Sequence, residues 1–313
     1  MFRSSFKPNY IGQPAHGVLP YAGIDMNDAV MVLGDGAGTP SFFYRMNKGI
    51  VGLRTQMEIQ NCKFNEIKFD NFYHTASDGS AVVSEGDLNY NPSYLQLIPA
   101  NYPDTTILNC HRGVYNNYSD LILQYCIMDN VRTGVECSGN KYRQYALVTD
   151  NTINATLYGA LFYNNAGSDY NIIAGNFIKV DGLSSGVGIA VRESKNSVSG
   201  NYEVAWNHEI RVVDGTAGIE LLNVASPQVR CNVIKLDEGD EQAISSTGIS
   251  VLGCSFANIT QNSVTGYTRS NTSRVGLSCQ VSTSCQIGCN SVDSTGYGFH
   301  FGSSNLFYQF QGQ

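Results

Sequence analysis

From about residue 134 to the end, apolar and polar positions alternate with period two in short runs, and a glycine opens each run. The phrase Gly-apolar-x-apolar stands at Gly134–Cys137, Gly159–Phe162, Gly188–Val191, Gly218–Leu221, Gly248–Val251, Gly276–Cys279 and Gly298–Phe301, its glycines 22 to 30 residues apart. A second phrase, apolar-x-x-Asn-x-apolar, falls between them. It places Asn151, Asn176, Asn232, Asn262 and Asn290 in one slot, with a looser copy at Asn201. Two interleaved phrases sharing one period predict a chain that coils and stacks on itself.

Period-two alternation predicts strands, with the two apolar residues facing inward and the residue between them outward. The inward columns are then Val135, Ala160, Ile189, Ile219, Ile249, Leu277, Phe299 and Cys137, Phe162, Val191, Leu221, Val251, Cys279, Phe301. The outward column is Glu136, Leu161, Ala190, Glu220, Ser250, Ser278 and His300. No amphipathic helix is predicted. The repeated Asn suits a left-handed turn and a hydrogen-bonded ladder between coils. The glycine suits a corner where a Cβ would clash.

Proline divides the chain, because it removes a ladder donor. Seven of the eight prolines precede residue 104. The expected organisation is an irregular or capping region over 1–47 and a β-helix over 48–313. Its first coil spans about 48–72, a loop insertion about 73–104, and regular coils about 105–305.

These residues resemble the right-handed parallel β-helix proteins of the pectin-lyase-like superfamily. The resemblance rests on the Gly-Ile/Val starts and on 150–153, 175–178, 200–202, 261–264 and 289–292, and covers about 105–305. The stretches 109–115 and 129–135 are similar to β-helix segments of large secreted or surface proteins of Bacteroidetes-type bacteria. The resemblance implies an all-β, single right-handed parallel β-helix (a solenoid) of about nine or ten coils. It leaves activity open, because that superfamily holds lyases, hydrolases, esterases, epimerases, tailspikes, adhesins and passive stalks.

Composition changes this picture in two ways. Charged residues are sparse at 14%, net charge is −7, and no Lys/Arg cluster stands out along the sequence. Nucleic acid and anionic membranes are therefore not expected partners. No apolar leader-type segment and no membrane span are read, and the chain is expected to be part of a longer polypeptide, extracellular or at the cell surface. Nine cysteines would suggest disulfides in such a protein. The repeat instead puts Cys137 and Cys279 in an apolar slot and Cys62 and Cys110 in the Asn slot, which predicts packed thiols. No zinc spacing appears, and no metal or cofactor is expected.

Motifs of the superfamily's enzymes are missing: no Asn-Thr-Asp, no Gly-His-Gly, no Arg-Pro with calcium-binding carboxylates, no Asp-Pro-His. What remains for catalysis is His208, Glu209, Arg211 and Asp214 beside Arg192 and Glu220 of neighbouring coils. Arg192, Arg211 and Glu220 are read as sharing an outer face, where carboxylates on adjacent coils suit acid–base chemistry on sugars. Tyr115, Tyr163 and Trp206 are the candidates for stacking a sugar ring. The repeat accounts for most recurrent residues by structure alone. The expected function is therefore a non-catalytic structural, adhesive or carbohydrate-binding module whose partner is a polysaccharide or cell-surface glycan. The alternatives are a polysaccharide lyase or glycoside hydrolase with a non-standard site, and a phage-type receptor-binding spike.

Overall fold

A computed structural model describes residues 5–6, 21–34, 40–68, 75–87, 93–99, 106–139, 145–164, 170–182, 185–193, 201–237, 245–266, 274–302 and 306–311. All described regular structure is strand, and the named strand pairs are parallel. The chain is an all-β parallel β-helix. Each coil lays one strand on each of three faces, which we call C, B and A in the order the chain visits them. In one middle coil these are Tyr145–Thr149 on face C, then the two halves of Thr152–Tyr163 on faces B and A. Face C alone holds eleven strands, from Val30–Leu33 to Leu306–Gln311.

Coiling begins earlier than the proline pattern implies. Ala22–Asn27 pairs with Lys48–Leu53, and Val30–Leu33 with Gln56–Ile59. The expected insertion at 73–104 also belongs to the coil. Ser80–Glu85 lies between Lys48–Leu53 and Arg112–Asn117 on face A, and Ser93–Leu97 between Gln56–Ile59 and Ser119–Gln124 on face C. No proline falls within Ser80–Glu85 or Ser93–Leu97, so the prolines of this stretch remove no donor from these two strands. Residues 1–4, 7–20 and 35–39 of the expected cap, and 73–74, 88–92 and 100–104 of the expected insertion, lie outside the described residues.

The inward columns pack one continuous core that runs the length of the described coils. Phe301 packs against it, but Phe299, in the last strand of face A, remains 44% exposed. The opening glycines have ordinary φ, and the stack itself requires them. A Cβ on Gly218 would lie 2.5 Å from Ile234 Cγ2 and 2.7 Å from the carbonyl oxygen of Gly248 one coil on.

The Asn slot forms a buried ladder at the corner between faces C and B. Its members are Asn151, Asn176, Asn207, Asn232, Asn262 and Asn290, linked by Nδ2–H donation to the next Oδ1 at 2.8–3.0 Å. Two details differ from the sequence reading. The left-handed turn falls on the residue before each Asn: Asp150, Gly175, Trp206, Cys231, Gln261 and Cys289. The member at the loose copy is Asn207, because Asn201 precedes the face C strand Tyr202–Ala205 and marks a different corner.

All nine cysteines are free thiols. Register puts Cys62 and Cys126 in the Asn column, whereas Cys110 stacks between Ile67 and Val131 at the next corner. The Cys126 backbone N–H donates to Asn151 Oδ1 at 2.9 Å, so Cys126 starts the ladder. Burial pushes the Cys62, Cys110 and Cys254 thiols up to about 12 and raises those of Cys126 and Cys137, while a hydrogen bond with Cys279, and then burial, raises that of Cys285. A thiol reagent at pH 8 should therefore titrate Cys289 and Cys231 in the native protein. The seven buried thiols should react only after denaturation, and fast labelling of more than two would contradict the packing.

Candidate functional site

Residues that face away from the core should be wet, yet several on face A are buried. Lys48, Val83, Tyr115, Glu136 and Ala190 are at most 8% exposed. Two apolar clusters separate from the core, one around Val51, Val83 and Tyr115, the other around Val187, Ala190 and Ala217, lie on this outer side. The outer side of face A thus carries a second layer of covered side chains, which we call the recess.

Parallel register lines the recess with cations, carboxylates and tyrosines. Lys48, Arg112 and Tyr158 occupy one outward column, each two coils from the next. Lys48 Nζ reaches Asp78 at 3.5 Å, donates to Tyr21 Oη at 3.1 Å and to Thr75 Oγ1 at 3.0 Å, and lies 4.6 Å from the centre of the Tyr21 ring. Arg112 pairs with Glu136 one coil on and sits 5.5 Å from the Tyr115 ring centre. Tyr163 donates to Glu136 Oε1 at 3.1 Å. Farther along, Arg192 pairs with Glu220 at 2.5 Å, donates to Tyr158 Oη at 3.0 Å and lies 5.3 Å from that ring centre. Each cation is held by a carboxylate and braces an aromatic ring.

The chemistry open to this recess follows from these pairings. Glu136 and Glu220 share the central outward column three coils apart. At about 4.8 Å per coil that is about 14 Å, beyond the roughly 5–9.5 Å that paired carboxylates need for glycoside hydrolysis. Burial raises the Tyr115 and Tyr163 hydroxyls above the usual phenol range, so both are protonated donors at neutral pH. Among the described residues no group of three His, Cys, Asp or Glu is placed to hold a metal.

The sequence candidates divide between faces. Arg192 and Glu220 meet on face A, and Tyr115 and Tyr163 lie on the same face. Tyr115 is only 4% exposed, which leaves its ring little surface for stacking a ligand. Arg211 does not join Arg192 and Glu220. It projects from face B and pairs with Asp237, while neighbouring Glu209 pairs with Lys235 at 2.6 Å. The chain turns from face B to face A at Asp214, whose φ is 53°, so residues on either side of it point to different surfaces. His208 stacks on Phe177 at 4.8 Å at the corner between faces C and B. Trp206 stands at that corner, 51% exposed, with Arg230 over its ring at 4.3 Å. Lys48, Asp78 and Arg112 were missed as site residues. The run Ser80-Ala-Val-Val lacks the Asn phrase that marks later coils, so its coil was read as a loop.

No protein-family model and no curated protein matches this sequence. Among solved structures it is similar to the Dettilon tailspike protein gp208, with 13% identity and a TM-score of 0.44 over 89% of this chain and 63% of that one. It therefore spans less than two thirds of that tailspike's length. It is also similar to the A-module of the Azotobacter vinelandii mannuronan C-5 epimerase AlgE6, with 10% identity and a TM-score of 0.39 over 94% and 92% of the two chains. At these scores neither neighbour informs the chemistry of this chain. By its own strand pairing the chain is a parallel β-helix repeat protein, with tyrosines along the covered outer side of face A.

Proposed function

We propose that this chain is a secreted or surface-displayed β-helix module that holds a polysaccharide along face A without turning it over. The observation that carries the reading is the set of tyrosines on the outer side of face A that ion-paired cations and carboxylates hold in place. Tyr21, Tyr158 and Tyr163 offer ring faces for the apolar side of a pyranose. The Arg192–Glu220 and Arg112–Glu136 pairs offer charged partners for its hydroxyls. The wide spacing of Glu136 and Glu220, each tied to an arginine, supports retention over hydrolysis.

Binding of the wild-type protein to a panel of immobilised neutral and acidic polysaccharides tests the reading. The Tyr158→Ala variant should weaken retention of the best polysaccharide about tenfold or more, as truncation of a central aromatic contact does. Equal retention by this variant and the wild type would remove face A as the site. Release of reducing ends or unsaturated products from the bound polymer would replace the module reading with an enzyme. A sedimenting mass of three times 34.1 kDa would favour a trimeric receptor-binding spike.

A further inference from the structure

At the corner between faces B and A, the coil stacks positive charge instead of neutralising it. Register aligns Glu66, Asn109 and Asn130 on three successive coils, all with left-handed φ between 52° and 57°. Two residues on, Lys68, His111 and Arg132 therefore stack in the same way, at about 4.8 Å per coil. Lys68 and Arg132 flank His111 two coils apart, about 10 Å, and repel each other across it. Elsewhere this protein uses the one-coil spacing to pair opposite charges, as in Arg54 with Asp28, Arg192 with Glu220 and Arg230 with Glu203. Lys68 and Arg132 form no ion pair among the described residues.

These side chains line one cleft of about 580 Å³ together with Glu66, Asn109 and Asn130. Glu66 attracts Lys68, but it is also held by Arg45 at 2.8 Å and by the Tyr44 hydroxyl at 3.3 Å, so one carboxylate serves three cations. Burial, with Arg112 and Arg132 nearby, lowers the His111 pKa to about 4, so its imidazole is neutral at pH 7. Arg45, Lys68 and Arg132 against the single carboxylate of Glu66 thus leave an excess of two positive charges here, in a chain whose net charge is −7. The amide groups of Asn109 and Asn130, chained at 2.7 Å, line the same opening. Arg112, which follows His111 directly, begins the next face A strand.

We propose that this cleft is a phosphate-binding site that takes the phosphomonoester of a phosphorylated sugar. Lys68 and Arg132 match a group carrying about −1.5 to −2 charges at pH 7, which a single carboxylate or sulfate ester would leave half neutralised. Arg132 supplies the forked donors and Lys68 the point charge. The phosphate part of this inference stands on the cleft alone. The sugar part rests on the glycan reading of face A.

Calorimetric titration of the full chain with inorganic phosphate, mannose 6-phosphate, mannose, the sulfate ester mannose 6-sulfate and galacturonate separates these parts. Phosphate and mannose 6-phosphate should bind, with mannose 6-sulfate and galacturonate at least about tenfold weaker. K68A and R132A should each weaken phosphate binding about tenfold or more, and both residues are exposed, so an unchanged melting curve serves as the folding control. Absence of phosphate binding, equal binding of mannose 6-sulfate and galacturonate, or unchanged binding by both variants would overturn the site. Phosphate bound as tightly as mannose 6-phosphate would keep the site and overturn its sugar partner. Polysaccharide retention by face A is read in a separate assay with neutral polymers, so failure there leaves the phosphate result standing.

Discussion

Replacing Asn207 by Ala should lower the stability of the chain by about 4 kcal/mol, read as a fall in the urea midpoint at unchanged slope. The side chain is buried and fully used. Its Nδ2 donates to Ile173 O at 3.0 Å and to Asn232 Oδ1 at 2.8 Å. Its Oδ1 accepts from the Asn176 backbone N–H at 3.1 Å and from Asn176 Nδ2 at 3.0 Å. Truncation leaves the Asn176 donors, the Ile173 carbonyl and Asn232 Oδ1 short of partners in a dry interior. Each orphaned group costs about 1–3 kcal/mol. The same change at Asn290, which is only half-buried, should cost visibly less. Equal losses at the two positions would mean that the ladder is not what holds this corner.

The N207D variant adds a check of sign. It keeps an acceptor for Asn176 but faces Ile173 O and Asn232 Oδ1 with a buried carboxylate instead of a donor. Its pKa should rise in the folded state above the unfolded value of about 3.9. The folded state then binds more protons than the unfolded one. Stability is retained below the unfolded pKa and lost as pH climbs through the folded one. The variant should be most stable near pH 4 and weakest at neutral pH, and a flat profile would deny the carboxylate its burial.

Replacing Gly218 by Ala should cost about 3 kcal/mol, although a change from Gly to Ala at ordinary φ usually stabilises. The added methyl meets Ile234 Cγ2 at 2.5 Å on one side and the Gly248 carbonyl at 2.7 Å on the other. The carbonyl belongs to a strand hydrogen-bonded into the next coil, so neither neighbour moves without opening the stack. Gly298 provides the control, because it opens the same phrase but has nothing within 4 Å of its added Cβ. Gly298→Ala should stay within about 0.5 kcal/mol of the wild type. Similar losses at both positions would trace the effect to the strand backbone and away from the crowded stack.

These two variants show which parts of the molecule were legible beforehand. Val135, Ile189, Ile219 and Ile249 were assigned inward from alternation alone, and all are fully buried. The Asn slot was legible because one polar residue recurred among apolar ones. Asn207 escaped notice because an extra residue separates it from its closing apolar residue, Ile210, leaving Glu209 in that slot, and Asn201 lay close enough to stand in. The coil at 80–97 escaped because it carries neither repeated phrase.

Period two along a strand and a recurrence of a few tens of residues are local properties, and they suffice to say which side chains form the core of a parallel β-helix. They do not say which outward residues meet. Neighbours on the surface of such a stack are a whole coil apart, and the coils differ in length. Arg192 and Glu220, 28 residues apart, touch across one coil, while Arg211, nearer to both in sequence, faces elsewhere. The glycines were placed correctly but for a local reason, a tight corner. Only the stacking distance between coils shows that they make room for the next carbonyl. The recess on face A and the basic column of Lys68, His111 and Arg132 belong wholly to tertiary structure, because register between strands far apart in the chain creates both.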